Sequence, residues 1–555
     1  MSQNYLARFL KEYNSVSWRE VSFLAICSGI ANGILLCLIN NGAAAASQSS
    51  TRLQFLFLYI IAMIVFCYAK KKSMTRSIRI IENMLHDLRV RVVNKLRRTS
   101  LRQMESFSKG DIYTKISQDT VTISQSAFFL VNIVQALVMV VCCLLYIAWL
   151  SPGAFFMTVF GIIIATSIYW GHRQKLVRDM AEMNKKEGEI VEAVCDIVEG
   201  YKELYGNQKR NEGVFKHYSG LAEESRTVKV RANDTFILEI MFTQIFFYLL
   251  IGAVVFILPE VVPTYSVVVI RVTAAILFIV NPLDIIATTA PLITRANSAL
   301  KNIYDLDDVL TAPQTDADRP FQTPSQFLNF QEITGHSLQF TYRDAENNPL
   351  FTVGPFDMHI RRGETVFFVG GNGCGKTTLM KIICGLYQLN SGELRLDGQR
   401  LEQNNYQDYR ELFSVIFSDF HLFDRLYGQD EVDPTTVNNW LKKMDIAHKT
   451  QFIKGRFTHT DLSTGQRKRL ALIVALLDDR PIVMLDEWAA DQDPQFRTFF
   501  YETLLAEFRA AGKTVLAVSH DDRFWHLADR VVKMEYGQLA RNLYGASTSQ
   551  NETCQ

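Results

Sequence analysis

Two short segments of this chain carry residue types suited to phosphate chemistry. The first is Gly370-Gly371-Asn372-Gly373-Cys374-Gly375-Lys376-Thr377, which fits the pattern G-x-x-x-x-G-K-[ST]. Such a loop needs a strand before it and a helix after it. The apolar run at 365–369 and the helix-forming run at 378–385, opening on Thr378, supply both. Glycines let backbone N–H groups face phosphate oxygens, and a helix N-terminus adds its dipole. Lys376 would reach the β- and γ-phosphates of a nucleotide, and Thr377 would hold Mg²⁺. The second segment is the apolar run Ile482-Val483-Met484-Leu485, ending at Asp486-Glu487. Asp486 would bind Mg²⁺ through its shell, and Glu487 would polarise an attacking water. A strand end can also carry an acidic pair for solubility alone. The phosphate loop decides against that, because parallel strands bring both segments to one sheet edge.

Cys374 lies two residues before Lys376. A nest of N–H groups and a helix N-terminus both favour a thiolate. An exposed, reactive thiol is therefore expected there, one that a maleimide would block and MgATP would protect.

These segments need an α/β domain to position them, and the second half of the chain reads as one. The first half does not. The chain has 555 residues, a net charge of +1, 48% apolar residues and 37 Phe, yet nearly all its long apolar runs lie before residue 300. The charge balance offers no basic footprint for nucleic acid. Nine cysteines without C-x-x-C spacing argue against a disulfide framework or a zinc site.

Six apolar stretches approach or reach bilayer length: 21–40, 53–69, 127–150, 153–171, 236–258 and 266–282. The loops at 41–52, 151–152 and 259–265 are short and poor in Lys and Arg, whereas 70–126 and 172–235 are long and basic. Positive loops stay on the cytoplasmic side, which puts the N-terminus and everything after 282 inside. Residues 80–104 and 176–226 have helix-forming composition with apolar residues every three or four, so the membrane helices should run on into the cytosol. Gly110–Asp111 and Gly200–Gly206 are the expected turning points. The segment ending in Ala43-Ala44-Ala45-Ala46 looks like a signal peptide, but its apolar run is a full span and reads as a retained first helix. The resulting division is a membrane domain over 1–310, a linker over 311–331, an ATPase domain over 332–545 and a tail over 546–555.

The segment Leu462-Ser463-Thr464-Gly465-Gln466 resembles the LSGGQ signature of the ATP-binding cassette (ABC) transporter superfamily. The likeness covers the whole chain, since the six-helix half is similar to the exporter type. It implies a membrane all-α six-helix exporter domain followed by an α/β P-loop ATPase domain, with ATP and Mg²⁺ as cofactors. In its light Tyr342 matches the aromatic that stacks on adenine. Asp493 closes a D-loop-like segment, and His520 matches the switch histidine at the γ-phosphate. The family also implies head-to-tail pairing, so that Ser463, Gly465 and Gln466 meet the ATP held by another copy. One cassette per chain then calls for a dimer, most simply a homodimer.

Two departures narrow the resemblance. Residues 409–423, YRELFSVIFSDFHLF, align with the Q-loop, but Ser418 stands where glutamine is usual, with Asp419 beside it as a candidate metal contact. Glu487 is followed by Trp488-Ala489-Ala490-Asp491-Gln492-Asp493-Pro494 rather than the common Pro-Thr-Ser-Ala. FSDFHLFD, DEWAADQDP and SHDD at 519–522 together resemble the bacterial cyclic-peptide and siderophore exporters of microcin, syringomycin and pyoverdine type. That resemblance implies export of an amphipathic peptide or siderophore across the inner membrane. A lipid or drug flippase on the same scaffold is the alternative. A non-transporting, ATP-gated regulator is a third reading, disfavoured by Glu487 and His520. Asn32, Asn132, Gln135, Glu239, Gln244, Arg271 and Asp284 are polar residues within spans and candidates for cargo or interhelical contact.

Overall fold

The computed structural model describes residues 5–12, 18–47, 53–107, 109–257, 259, 266–310, 327–344, 346–402, 405–429 and 431–544. The expected linker lies outside them as far as 326, as does the whole tail 546–555. Two compact units result. One comprises Met1–Lys95 and Ser108–Leu310; the other comprises Leu96–Phe107 and Thr311–Gln555.

The first unit is helical. Its long helices are Trp18–Ser47, Leu53–Leu96, Asp119–Leu150, Pro152–Glu199, Gln208–Gly252 and Ser266–Val309. Among the described residues, Arg19–Gly42, Leu53–Leu96, Thr114–Leu150 and Val268–Val309 are long and apolar enough to cross a membrane, and Pro152–Ser167 and Gln244–Ile257 are shorter apolar stretches. Phe57 and Leu58 point outward, an exposure that water penalises and hydrocarbon does not. The helix Leu53–Leu96 has 44 residues. It is about 66 Å long at 1.5 Å per residue, so it continues far beyond its apolar part, as the composition of 80–104 suggests.

Close packing in this unit depends on small residues. A Cβ at Gly29 would lie 2.7 Å from the Val138 side chain, and one at Gly33 would lie 2.8 Å from Cys142 Cβ. Helices Trp18–Ser47 and Asp119–Leu150 therefore approach through a Gly-x-x-x-Gly stripe. Around it Leu36, Met139, Ile147, Phe247, Val272 and Ile276 form a buried core. Asn40 Nδ2 donates to the Arg271 carbonyl at 3.4 Å, and Arg271 Nε is itself buried. At the polar end Tyr304 donates to Glu12 at 2.7 Å, while Lys95 pairs with Asp307 at 2.8 Å.

One expected turn is placed differently. Gly110 and Asp111 lie inside a short helix, Lys109–Tyr113, and the chain instead breaks after Leu96 and again around the short helix Leu101–Glu105. A glycine inside a helical pattern weakens it without ending it. The second expected turn is present: Gly200 and Gly206 flank the short helix Tyr201–Tyr205.

The second unit holds two main sheets. Strands β1 (Glu332–Arg343), β2 (Pro349–Arg361), β4 (Ser391–Leu396) and β5 (Gln399–Arg400) form an antiparallel sheet in the order β2-β1-β4-β5. The larger sheet has the order β12-β11-β3-β10-β9-β6. Its strands are β3 (Thr365–Val369), β6 (Phe413–Ile416), β9 (Ile482–Leu485), β10 (Thr514–Val518), β11 (Arg530–Glu535) and β12 (Gln538–Tyr544). All its pairings are parallel except β11 with β12. Strands β3, β9 and β10 are buried at every position, which is why they read as unbroken apolar runs. A short hairpin joins β7 (Phe452–Ile453) and β8 (Arg456–Phe457).

Candidate active site

The register of the large sheet assembles the site. Phe368 of β3 pairs with Val518 of β10, and Leu485 of β9 pairs with Ala517. The segments beyond these residues therefore leave the same sheet edge side by side: the phosphate loop after β3, Asp486-Glu487 after β9 and Ser519-His520 after β10. This is the carboxyl edge of a parallel sheet, where nucleotides bind in such folds.

The loop requires three of its glycines, and Gly373 among them has φ +76°. Gly370 has φ +150°, and a Cβ there would lie 2.2 Å from the Met534 carbonyl. Gly375 has φ +105° and precedes helix Lys376–Ile383. Lys376 is buried, and its Nζ donates to the carbonyls of Gly370 and Gly371 at 3.1 and 3.0 Å. Gly371, Asn372 and Gly373 form the exposed crest of the loop.

Beside it, Thr377 Oγ1 donates to Asp486 Oδ2 at 2.9 Å. Asp486 is 1% exposed, and its Oδ1 is buried without a partner. Burial pushes its carboxyl above the usual range, partly offset by the Thr377 hydrogen bond. A dehydrated, half-satisfied carboxylate next to a threonine hydroxyl is a donor set that suits Mg²⁺. Glu487 Oε1 is 3.0 Å from His520 Nε2 and 4.0 Å from Lys376 Nζ. The backbone of Glu487 is left-handed, with φ +49°.

Tyr342 hydrogen-bonds through its hydroxyl to Thr378 Oγ1 at 3.1 Å and donates to Tyr387 at 3.3 Å. Tyr387 in turn donates to Glu105 at 2.6 Å, and Lys381 pairs with the same carboxylate at 2.8 Å. Glu105 was not singled out from the sequence, since 282 residues separate it from Tyr387. It ends the short helix Leu101–Glu105, whose N-terminus Ser100 caps.

The signature residues form a turn of their own. Ser463 caps helix Thr464–Leu477, and Ser463 and Gln466 hydrogen-bond reciprocally as a capping box. A Cβ at Gly465 would lie 2.7 Å from the Asp491 carbonyl, so only glycine lets these segments touch. Asp493 caps helix Pro494–Phe499 through Phe496 N–H and pairs with Arg469. Among the described residues, no hydrogen bond joins Ser463, Gly465, Gln466 or Asp493 to the phosphate loop.

One expectation changes. Cys374 is 8% exposed and belongs to an apolar cluster with Val353, Leu379 and Met534. The side chain turns under the loop, so the exposed reactive cysteine is absent. Cys384 is more deeply buried still, and burial pushes its thiol up to about 12. Asp419 is exposed in the turn after β6, and among the described residues it has no hydrogen bond to Thr377 or Asp486. Ser418 is nearer, and its backbone amide is among the groups that partly offset burial at the Asp486 carboxyl. Among the described residues no three His, Cys, Asp or Glu side chains converge as a metal site.

Comparison with known proteins agrees with this architecture. Residues 353–490 match the ABC transporter family, and residues 20–279 match the ABC transporter transmembrane region. The ATP-binding protein SyrD of Pseudomonas syringae pv. syringae is 30% identical over 557 residues, covering 96% of this chain and 95% of SyrD. An ATP-dependent lipid A-core flippase of Ralstonia nicotianae is 28% identical over 280 residues, 48% of this chain and 45% of the flippase. A bacterial Atm1-family ABC exporter solved with ATP bound superposes with a TM-score of 0.76 at 19% identity, covering 97% of this chain and 96% of the exporter. Fold and site thus define an ATP-hydrolysing membrane transporter. The chain belongs to the ABC exporter family. It is a multi-pass inner-membrane protein with a half-transporter fold, and its ATPase domain lies C-terminal to its membrane helices.

Proposed function

We propose that two copies of this chain form an exporter that uses ATP hydrolysis to move an amphipathic peptide or peptide siderophore out across the inner membrane. The hydrolytic part rests on one observation above all: Thr377–Asp486 and Glu487–His520 are paired side by side at the end of the parallel sheet. Lys376 holds the loop carbonyls and is the cation available to the β- and γ-phosphates. Mg²⁺, held by Thr377 and Asp486, would supply charge neutralisation for the departing phosphate oxygens. Glu487 accepts the proton side of an attacking water, and His520 fixes that carboxylate in place. Tyr342, tied to Thr378 and Tyr387, offers its ring to the adenine. Ser463, Gly465 and Gln466 complete the site of the other copy, closing the pair around ATP.

The cargo reading rests on the segments FSDFHLFD and DEWAADQDP and their likeness to exporters of peptidic metabolites. The flippase relatives favour a second reading, transport of a lipid, on the same machinery. Cells carrying Glu487→Gln should retain a peptidic metabolite that wild-type cells release. Unchanged peptide export with accumulated lipid on the inner leaflet would reject the peptide reading in favour of the lipid one.

A further inference from the structure

The segment after Glu487, the clearest departure from the common family sequence, is held by the signature helix. Lys468 lies on helix Thr464–Leu477 and is 4% exposed. A buried ammonium group requires partners, and it has two. Its Nζ donates to the Glu487 carbonyl at 2.7 Å and pairs with Asp491 Oδ2 at 2.6 Å. The clasp runs both ways: Trp488 Nε1 donates to the Lys468 carbonyl at 2.7 Å. The Trp488 ring is buried, 4.6 Å from the Phe500 ring centroid. Further along, Gln492 Nε2 donates to the Gly465 carbonyl at 3.1 Å, and Arg469 Nε donates back to Gln492 Oε1 at 2.9 Å.

What this clasp holds is the residue whose conformation needs holding. One backbone hydrogen bond, from Asp486 N–H to the Ile416 carbonyl at 2.9 Å, ties the chain just past the end of β9, whose pairing to β6 and β10 ends at Leu485. Two residues later Glu487 adopts φ +49°, a left-handed conformation that residues bearing a side chain adopt at a cost. Its carbonyl is otherwise met only by the Ala490 N–H, at 3.3 Å among the described residues. Rotation of this backbone would swing the carboxylate away from His520.

We propose that Lys468 is a positioning residue for hydrolysis: its ammonium group, bound by Asp491 and the Glu487 carbonyl, keeps Glu487 in the left-handed turn that aims its carboxylate at His520. The role rests on the reading of Glu487 as the group that polarises water. Trp488 and Asp491, which look unrelated to the reaction in the sequence, are the two remaining parts of the same clasp.

The test uses the full-length chain in lipid nanodiscs. Lys468→Met keeps length and burial but removes the donor. It should lower kcat about tenfold or more, the scale of loss expected when a reacting group is misplaced, with KM for ATP changed less than about twofold. In a Glu487→Gln background the same substitution should add no further loss, because the carboxylate it positions is gone. Lys468→Arg should recover most of kcat. Hydrogen exchange of the nucleotide-free protein should rise across 487–492 in Lys468→Met and stay unchanged across β9. Asp491→Asn should show a smaller loss of the same kind, and it decides the matter if Lys468→Met does not fold. Wild-type kcat and wild-type exchange in either folded variant would overturn the proposal, as would an equal loss in the Glu487→Gln background. If Glu487→Gln alone hydrolyses ATP normally, the reading of Glu487 fails, and the exchange data still decide whether Lys468 holds the turn.

Discussion

The phosphate-loop face and the signature face of the ATPase unit are built to different degrees of completeness. On the first, Lys376, Thr377, Asp486, Glu487 and His520 already touch one another through the register of β3, β9 and β10. On the second, the side chains of Ser463 and Gln466 bond only to each other's backbone among the described residues, and Gly465 abuts its own chain at Asp491. One face holds the proposed catalytic groups, preassembled by a sheet. The other is a capped helix end whose purpose its own chain leaves open. Under the proposed function, a site divided in this way is switched by bringing the faces of two copies together.

Several substitutions can sharpen or break that contrast. The largest effect belongs to Glu487→Gln, which should reduce hydrolysis on the order of 10²–10⁴-fold while ATP still binds. It should also trap a closed, ATP-bound pair, visible by negative-stain imaging. Near-normal turnover would move the base elsewhere. Gly465→Ala tests the signature face. Its methyl group would meet the Asp491 carbonyl, so a loss of about 1–3 kcal/mol in stability is expected, read as a lower Tm. Hydrolysis should fall with it, and nucleotide binding to the phosphate loop much less.

Maleimide provides the third check. With Cys374 and Cys384 both buried, the nucleotide-free enzyme should keep its ATPase activity after brief labelling. Rapid inactivation that Cys374→Ser abolishes would show that the loop opens in solution. The smallest effect is expected for Asp419→Ala. The exposed carboxylate touches neither Thr377 nor Asp486, so Mg²⁺ titration of hydrolysis should shift by less than about twofold, as for ordinary surface changes.

What could be read in advance follows the range of the interactions involved. Lys376, Thr377, Asp486 and Glu487 were legible because local motifs follow apolar strands, and parallel pairing then brings them together. The orientation of Cys374 was not. A pattern of glycines states where backbone N–H groups go, and says nothing about whether the intervening side chain turns under the loop. Lys468 reads as an ordinary solvated lysine until residues 487–492 fold back over it. Glu105 is similar, since nothing near it in the chain announces Tyr387 or Lys381. In the membrane unit the spans were visible as composition, whereas the Gly29–Gly33 contact depends on Val138 and Cys142, a hundred residues away.

The divided site can be tested most directly by complementation. Lys376→Ala disables the phosphate loop, and Ser463→Arg blocks the signature turn. Each chain expressed alone should lose ATP hydrolysis. Co-purified through two different tags, the mixed pair contains one site in which both faces are intact, and activity should return. No recovery in a verified mixed pair, or full activity of Ser463→Arg alone, would contradict a nucleotide site completed by a second copy.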